Sequence, residues 1–245
     1  MVEVKTFVKK TEILDYNFQN VAFKLEVNEH IFPPSKHGSL LVENIQINPE
    51  ENVIDIGTGS GIIAIFSAKN GAKVFATDTD KYAVETTKRN AQLNNVNIEC
   101  YQGNFFAGLN KKFDVIVANL PQEIVPEDYK KAIGKQLSLS LDGGKDGNNI
   151  LLEFLNIAKN YMHKKTRLYV VVYSVSDYKT TFKKIIQNYN AKLIAFDIRP
   201  TKEFVESNED LFLKLNNEGK VYLFKKDNKW MAEIYFFELS LKEEK

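Results

Sequence analysis

The sequence predicts an α/β fold: a mainly parallel sheet interleaved with helices and finished by an antiparallel last strand. Two observations carry that expectation. From Val53 onward, short apolar runs alternate with helical stretches, which is the pattern of βαβ units. After Arg199-Pro200 the alternation gives way to a short helix, a strand and a turn at Asp227-Asn228, a hairpin-like approach that reverses the final strand. The length of 245 residues, with 44% hydrophobic and 27% charged, suits one sizeable domain with a real core.

Taken in order, residues 2–8 and 21–27 alternate weakly and predict a short β extension within residues 1–30. The main domain then covers 31–245, with an insertion at about 200–229. Strands are predicted over 52–56, 73–77, 97–101, 113–118, 167–173, 192–198 and 231–239, seven in all. Helices are predicted over 61–69, 81–94, 150–163 and 178–189. Asn70-Gly71 is a suitable C-terminal stop, and Asp80 and Asp177 are suitable N-caps. Within the insertion, 203–215 reads as a short helix and 220–225 as a strand.

The strongest motif is Val53-Ile54-Asp55-Ile56-Gly57-Thr58-Gly59-Ser60-Gly61, a strand followed by a glycine turn and a helix start. Glycines allow a ligand to approach the backbone, and the helix start offers unpaired N–H groups. A dinucleotide site uses similar glycines, but its fingerprint sets the third glycine one residue later. Asp55 also stands two residues before the first glycine, where a carboxylate would repel a pyrophosphate and attract the ammonium of a methionine moiety. The order favours S-adenosylmethionine. Asp78, about twenty residues beyond the glycines, suits ribose hydroxyls in either cofactor. Asn104 could accept an adenine amino hydrogen and Phe105 could pack on the ring, or serve equally as a core aromatic. The expected cofactor contacts are Asp55, Gly57, Thr58, Gly59, Gly61, Asp78, Asn104, Phe105 and Asn119.

Asn119-Leu120-Pro121-Gln122 closes the fourth predicted strand, and Leu141-Asp142-Gly143-Gly144-Lys145-Asp146-Gly147 supplies a second glycine-rich stretch. With Ile31-Phe32-Pro33-Pro34-Ser35 ahead of Leu40-Leu41, these segments resemble the HemK-type release-factor glutamine methyltransferases and their amino-methyltransferase relatives over roughly 31–173. Those families carry Asn-Pro-Pro-Tyr or Asp-Pro-Pro-Tyr at the loop. The resemblance implies a Rossmann-like seven-stranded class I methyltransferase sheet, and a loop of Asn119, Leu120, Pro121 and Gln122 that positions an acceptor nitrogen. Such a nitrogen has a delocalised lone pair. An asparagine oxygen and the next backbone carbonyl can accept its hydrogens and turn it toward the methyl donor, so that positioning supplies much of the catalysis. Leu120 departs from the first proline and Gln122 from the aromatic, whose stacking is worth about 1–3 kcal/mol. Phe32, Phe105 or Phe106 are candidates to replace it.

The formal net charge of +1 exerts no global pull on nucleic acid or membrane. A lysine-rich stretch from Lys159 to Lys192 reads as the solvated faces of helices. Cys100 is the lone cysteine, so a disulfide within the chain is excluded. His30, His37 and His163 lack ligand spacing, and no metal site is expected. The first ten residues lack an apolar leader, and the expectation is a cytoplasmic protein with no membrane partner. The leading reading is N-methylation of a macromolecule, either a protein amide or an RNA or DNA base. The alternatives are a small-molecule methyltransferase or a cofactor-binding subunit that needs a partner. The family resemblance also allows a small activator subunit.

Overall fold

The computed structural model describes residues 11–243 except Glu29, His30, Phe32 and Ala107, and excepting the side chain of Gln136. The β extension expected over 2–8, and the candidate residues His30 and Phe32, therefore lie outside the described residues.

The chain divides into two compact units, one comprising Glu3–Asn119 and Asn160–Val170 and the other Leu120–Lys159 and Val171–Lys245. The first contains β1 (Glu12–Phe18), β2 (Val21–Val27), α1 (Lys36–Asn44), β3 (Asn52–Ile56), α2 (Ile62–Lys69), β4 (Lys73–Asp78), α3 (Lys81–Leu93), β5 (Ile98–Gln102) and β6 (Phe113–Ala118). It also holds the beginning of β7 (Met162–Tyr173). Its sheet runs β5-β4-β3-β6-β7 with every pairing parallel. Chain order reverses between β3 and β6, and the carboxyl ends of strands at such a switch point are where open α/β sheets bind ligands. Val53, Ile54 and Ile56 on β3, and Val115 to Ala118 on β6, are fully buried. These continuous apolar runs suit strands covered on both faces.

The second unit holds α4 (Glu127–Ile133), α5 (Lys135–Ser138), α6 (Asn149–Ala158), the end of β7, α7 (Tyr178–Asn188), β8 (Tyr189–Pro200), α8 (Glu203–Ser207), α9 (Glu209–Asn217), β9 (Leu223–Lys226) and β10 (Lys229–Leu241). β10 runs antiparallel to β8 from Met231↔Pro200 to Leu241↔Tyr189, and antiparallel to β9 across Asp227-Asn228. Both turn residues have positive φ, +50° and +59°, as a two-residue hairpin turn requires. Phe204, Val205, Phe212, Val221 and Leu223 pack with Val175, Trp230 and Ala232, so the 200–229 segment buries its apolar side chains in a cluster shared with β10 and the end of β7. The fold is thus the expected α/β class, with parallel strands in one unit and the antiparallel final strand in the other.

Several boundaries differ from expectation. The helix expected over 150–163 stops at Ala158, a 3-10 turn takes Lys159–Tyr161, and β7 begins at Met162. The Thr166 hydroxyl donates to Phe113 O at 2.6 Å, which ties that early part of β7 to β6. Arg199-Pro200 does not break the chain but ends β8, where proline's missing N–H is tolerated. The helix expected over 203–215 is two helices parted by Asn208, at φ −126° and ψ 40°. β1, α1, α4 and α5 were not expected. β8 ends the strand order, carries a bulge at Ile194, and has its Ile198 N–H donating to Asp197 Oδ1 at 2.9 Å.

Candidate active site

The site begins with the turn that follows β3. Gly57 N and Thr58 N donate to Thr77 O of β4 at 2.9 and 3.0 Å, and Gly61 N donates to Thr58 O at 2.8 Å. Gly57, Gly59 and Gly61 all have positive φ, at +71°, +56° and +83°. At Gly61 the requirement is double: a Cβ there would also lie 3.0 Å from Thr87 Oγ1 on α3. The turn therefore sits tightly between β4 and α3, with the start of α2 beyond it.

Asp55 lies beneath this turn and is 1% exposed. Its Oδ2 accepts from the Thr58 hydroxyl at 2.7 Å, while its Oδ1 is buried with no hydrogen-bond partner. Burial pushes the carboxyl up to about 7, against the opposing pull of the Thr58 hydroxyl and of the Ala64 amide, which lies near the carboxyl but outside hydrogen-bond geometry. A buried acceptor without a donor is costly, and a cationic donor resolves it. This is the observation that fits the ammonium of a methionine moiety.

Asp78 ends β4, and burial raises its carboxyl too. Its Oδ2 accepts from Gly59 N at 3.0 Å and its Oδ1 from Asp80 N at 2.9 Å. A carboxylate has about four lone-pair sites, so capacity remains for ribose hydroxyls. Asp80 caps α3, accepting from Tyr82 N at 2.9 Å. Asn104 is exposed just after β5. Phe105 is buried, at φ +47°, and its carbonyl accepts from Thr77 Oγ1 at 2.5 Å. Phe106 stacks on Tyr161 with centroids 3.7 Å apart, and so belongs to the core.

Asn119 follows β6 directly and is partly buried. It lies beside α1, whose N-cap Ser35 accepts from Gly38 N at 3.1 Å. A Cβ on Gly38 would stand 3.8 Å from Asn119 Nδ2. Nothing in the residue pattern pointed to Gly38, where a Cβ would make only ordinary van der Waals contact with this asparagine.

Asn119 is the last residue of its unit, and Leu120, Pro121 and Gln122 begin the other. Leu120 and Gln122 are both buried, at 7% and 2% exposed. Gln122 Nε2 donates to Val171 O at 2.7 Å and, more weakly, to Leu120 O at 3.4 Å, while its Oε1 accepts from Tyr173 N at 3.3 Å. The amide is therefore occupied by the backbone of β7 and of its own loop. Glycine-rich 141–147 clasps the same loop: Glu123 N donates to Leu141 O at 2.9 Å and Gly143 N to Glu123 O at 3.0 Å. A Cβ on Gly143 would fall 2.0 Å from Gly147 O and 2.8 Å from Gln122 Cα, so this position admits glycine alone.

Other candidates have structural partners. Arg167 binds Glu51 through both carboxylate oxygens at 2.9 and 2.7 Å, and Lys159 donates to Asn188 at 3.0 Å. His163 Nε2 lies 3.0 Å from Asp114 Oδ1. Among the described residues no group of three or more His, Cys, Asp or Glu side chains could hold a metal ion. Among the same residues, no helix is long and apolar enough to cross a membrane.

Comparison with known proteins follows the same lines. The family described as "PrmA: Ribosomal protein L11 methyltransferase (PrmA)" matches residues 36–135. A "Putative protein N5-glutamine methyltransferase" of Methanocaldococcus jannaschii is 37% identical over 163 residues, covering 66% of this chain and 82% of that one. The ribosomal protein L11 methyltransferase of Caldicellulosiruptor saccharolyticus is 42% identical over 111 residues, 43% of this chain and 36% of the relative. The chain thus spans about a third of that second relative's length. In fold it is similar to the T. thermophilus 16S rRNA N2 G1207 methyltransferase in complex with AdoMet and guanosine. That likeness has a TM-score of 0.60 at 15% identity, over 96% of this chain and 51% of that one. The glycine turn, its orphaned carboxylate and the extent of the archaeal match agree: the chain belongs to the class I S-adenosylmethionine-dependent methyltransferases, and S-adenosylmethionine is its cofactor.

Proposed function

We propose that this enzyme methylates a side-chain amide nitrogen of a protein, with glutamine as the first candidate acceptor. The observation that carries the reading is Asn119: a partly buried amide immediately after β6, at the carboxyl end of a parallel strand beside the glycine turn's own strand. The names of the relatives, a "Putative protein N5-glutamine methyltransferase" and ribosomal protein L11 methyltransferases, support a protein acceptor, as does a net charge of only +1.

S-adenosylmethionine, when bound, supplies an electrophilic methyl group. Asp55 would meet its ammonium, the Gly57-Thr58-Gly59-Gly61 turn would admit its backbone-close portion, and Asp78 would hold ribose hydroxyls. Asn104 and Phe105 stand after β5, on the side assigned to adenine. The chain's work on the acceptor is positional. The Asn119 side-chain oxygen and the Leu120 carbonyl each accept one amide hydrogen, which aims the nitrogen for in-line displacement. Leu120 lacks the stiffness of the proline it replaces, and Gln122 supplies it instead by hydrogen-bonding the loop to the end of β7. Gln122 is therefore a positioning residue in this mechanism. Residues 1–30 remain an extension to the catalytic domain, and the cytoplasm is the setting we assign.

The test is labelled-methyl transfer into cell extract with protease and RNase controls. Label lost to protease and retained after RNase supports the reading, while the reverse replaces it with a nucleic-acid acceptor. Asn119→Ala should lower turnover about 100-fold, the scale of a misplaced acceptor, with S-adenosylhomocysteine affinity unchanged. Full turnover by the purified chain alone would remove the activator subunit that the family resemblance allows.

A further inference from the structure

Helix α3 buries a polar face. Thr86, Thr87 and Asn90 are fully buried and Asn94 is 8% exposed. Buried amides persist only when satisfied, and the partners here form a pattern. Asn94 Oδ1 accepts from Lys24 N at 2.9 Å and its Nδ2 donates to Lys24 O at 2.6 Å. Asn90 Oδ1 accepts from Glu26 N at 2.6 Å and its Nδ2 donates to Glu26 O at 3.0 Å. The two asparagines thus complete the free edge of β2 as a neighbouring strand would. The spacing explains the fit: four helical residues rise about 6 Å, close to the ~6.7 Å spanned by two strand residues.

The two asparagines are not equivalent. Asn90 spends its second amide hydrogen on Ser60 O at 2.9 Å, in the middle of the cofactor turn. Asn94 instead donates within its own helix, to Asn90 O at 2.8 Å. One side chain therefore holds both β2 and the Gly59-Ser60-Gly61 segment. β2 continues through Asn28, whose amide approaches Thr86 Oγ1 at 3.4 Å and whose carbonyl accepts from Ile31 N at 3.2 Å. The chain then reaches Ser35 and α1 beside Asn119.

We propose that Asn90 is a positioning residue that couples β2 to the cofactor turn, so that cofactor binding and the order of β2 reinforce one another. The coupling is reciprocal, as any binding linkage must be: an ordered hairpin strengthens cofactor binding by the same factor. The inference concerns the cofactor turn alone and stands whatever the acceptor is.

The experiment is hydrogen exchange at the Glu26 amide, with and without saturating S-adenosylhomocysteine, together with calorimetric affinities for that ligand. In the wild type the ligand should slow Glu26 exchange about tenfold, within the usual range of site–site coupling. Asn90→Ala should abolish this ligand-dependent slowing and weaken binding by a similar factor. Asn94→Ala removes the same kind of hydrogen bonds from β2 without touching the turn, and should keep both the slowing and the affinity. A merely structural clamp predicts that either variant lowers Tm with ligand affinity untouched, and that result overturns the proposal. Should Asn90→Ala fail to fold, the wild-type exchange still decides, because an unchanged Glu26 rate at saturation is equally fatal.

Discussion

Asp55 and Gln122 are both buried polar side chains beside strand ends, yet they are in opposite states. Asp55 has one oxygen with no partner and a carboxyl raised to about 7 by burial. Gln122 has its oxygen and its amide nitrogen both engaged by backbone. A buried group left incomplete by its own chain is held for something that arrives; a completed one holds the chain itself. On the proposed reading Asp55 is a ligand contact and Gln122 a scaffold contact, although the sequence presents both within site motifs.

The largest effect should come from breaking the completed member. Gln122→Ala removes its hydrogen bonds to Val171 O and Tyr173 N from a buried loop, at about 2–4 kcal/mol or roughly 4–16 °C in Tm, with S-adenosylhomocysteine affinity little changed. Gln122→Tyr, which places an aromatic in the loop, should destabilise by about 1–3 kcal/mol through overpacking rather than improve turnover. A stable, faster Gln122→Tyr enzyme would return this side chain to the acceptor site.

Asp55→Asn should invert that outcome. Thermal stability holds or rises because an unfavourable ionisation is gone, while ligand affinity falls by about 10–150-fold, the loss of a charged hydrogen bond of about 1.5–3 kcal/mol. A fourth expectation follows from proton linkage. Raising the folded carboxyl from 3.8 to about 7 means that the folded, ligand-free protein holds a proton the unfolded chain releases. Asp55 thus costs stability progressively as pH climbs from about 4 to about 7. An ammonium ligand favours the ionised form, so S-adenosylhomocysteine affinity should rise with pH, by up to about tenfold per unit below 7, and level off above it. Calorimetry from pH 5.5 to 8 reads this directly; a flat profile in the wild type would mean that Asp55 is already ionised. The smallest effect belongs to Gly38→Ala. Its Cβ meets only ordinary contacts at 3.7 to 3.9 Å, and alanine should add about 0.5–1 kcal/mol to stability. Reduced turnover at unchanged cofactor affinity would show that α1 needs its close approach to Asn119.

The glycine turn was legible because its requirement is local: positive φ and close approach are recorded directly in residue type at Gly57, Gly59 and Gly61. The central strands were legible for a similar reason, since β3 and β6 are short apolar runs between turn signals. What escaped reading depends on distant partners. Gln122 reads as part of an acceptor loop, and nothing in the chain nearby shows that its amide is taken by Val171, forty-nine residues on. Asn90 reads as an ordinary helix residue until Glu26, sixty-four residues away, and Ser60 are brought to it. β1 was hidden by its own composition, Glu-Ile-Leu-Asp-Tyr-Asn-Phe, whose outward positions are mostly exposed, although Gln19-Asn20 at φ +50° and +67° forms the hairpin turn after it. The single helix expected over 203–215 failed at Asn208, whose side chain bonds Phe204 O and draws the chain out of helical geometry.

The outer strand β8 bears on how this protein survives at high concentration. Leu193, Phe196 and Ile198 leave it with apolar side chains 40–50% exposed, the composition of an edge that recruits foreign strands. Its backbone is a poor template for them. The bulge at Ile194 interrupts any straight ladder, and the Ile198 N–H is already taken by the neighbouring Asp197 carboxylate. Resistance to cross-chain pairing is thereby partly separated from side-chain polarity: backbone geometry guards an apolar edge, alongside the charges of Lys192, Asp197 and Arg199 on the same strand.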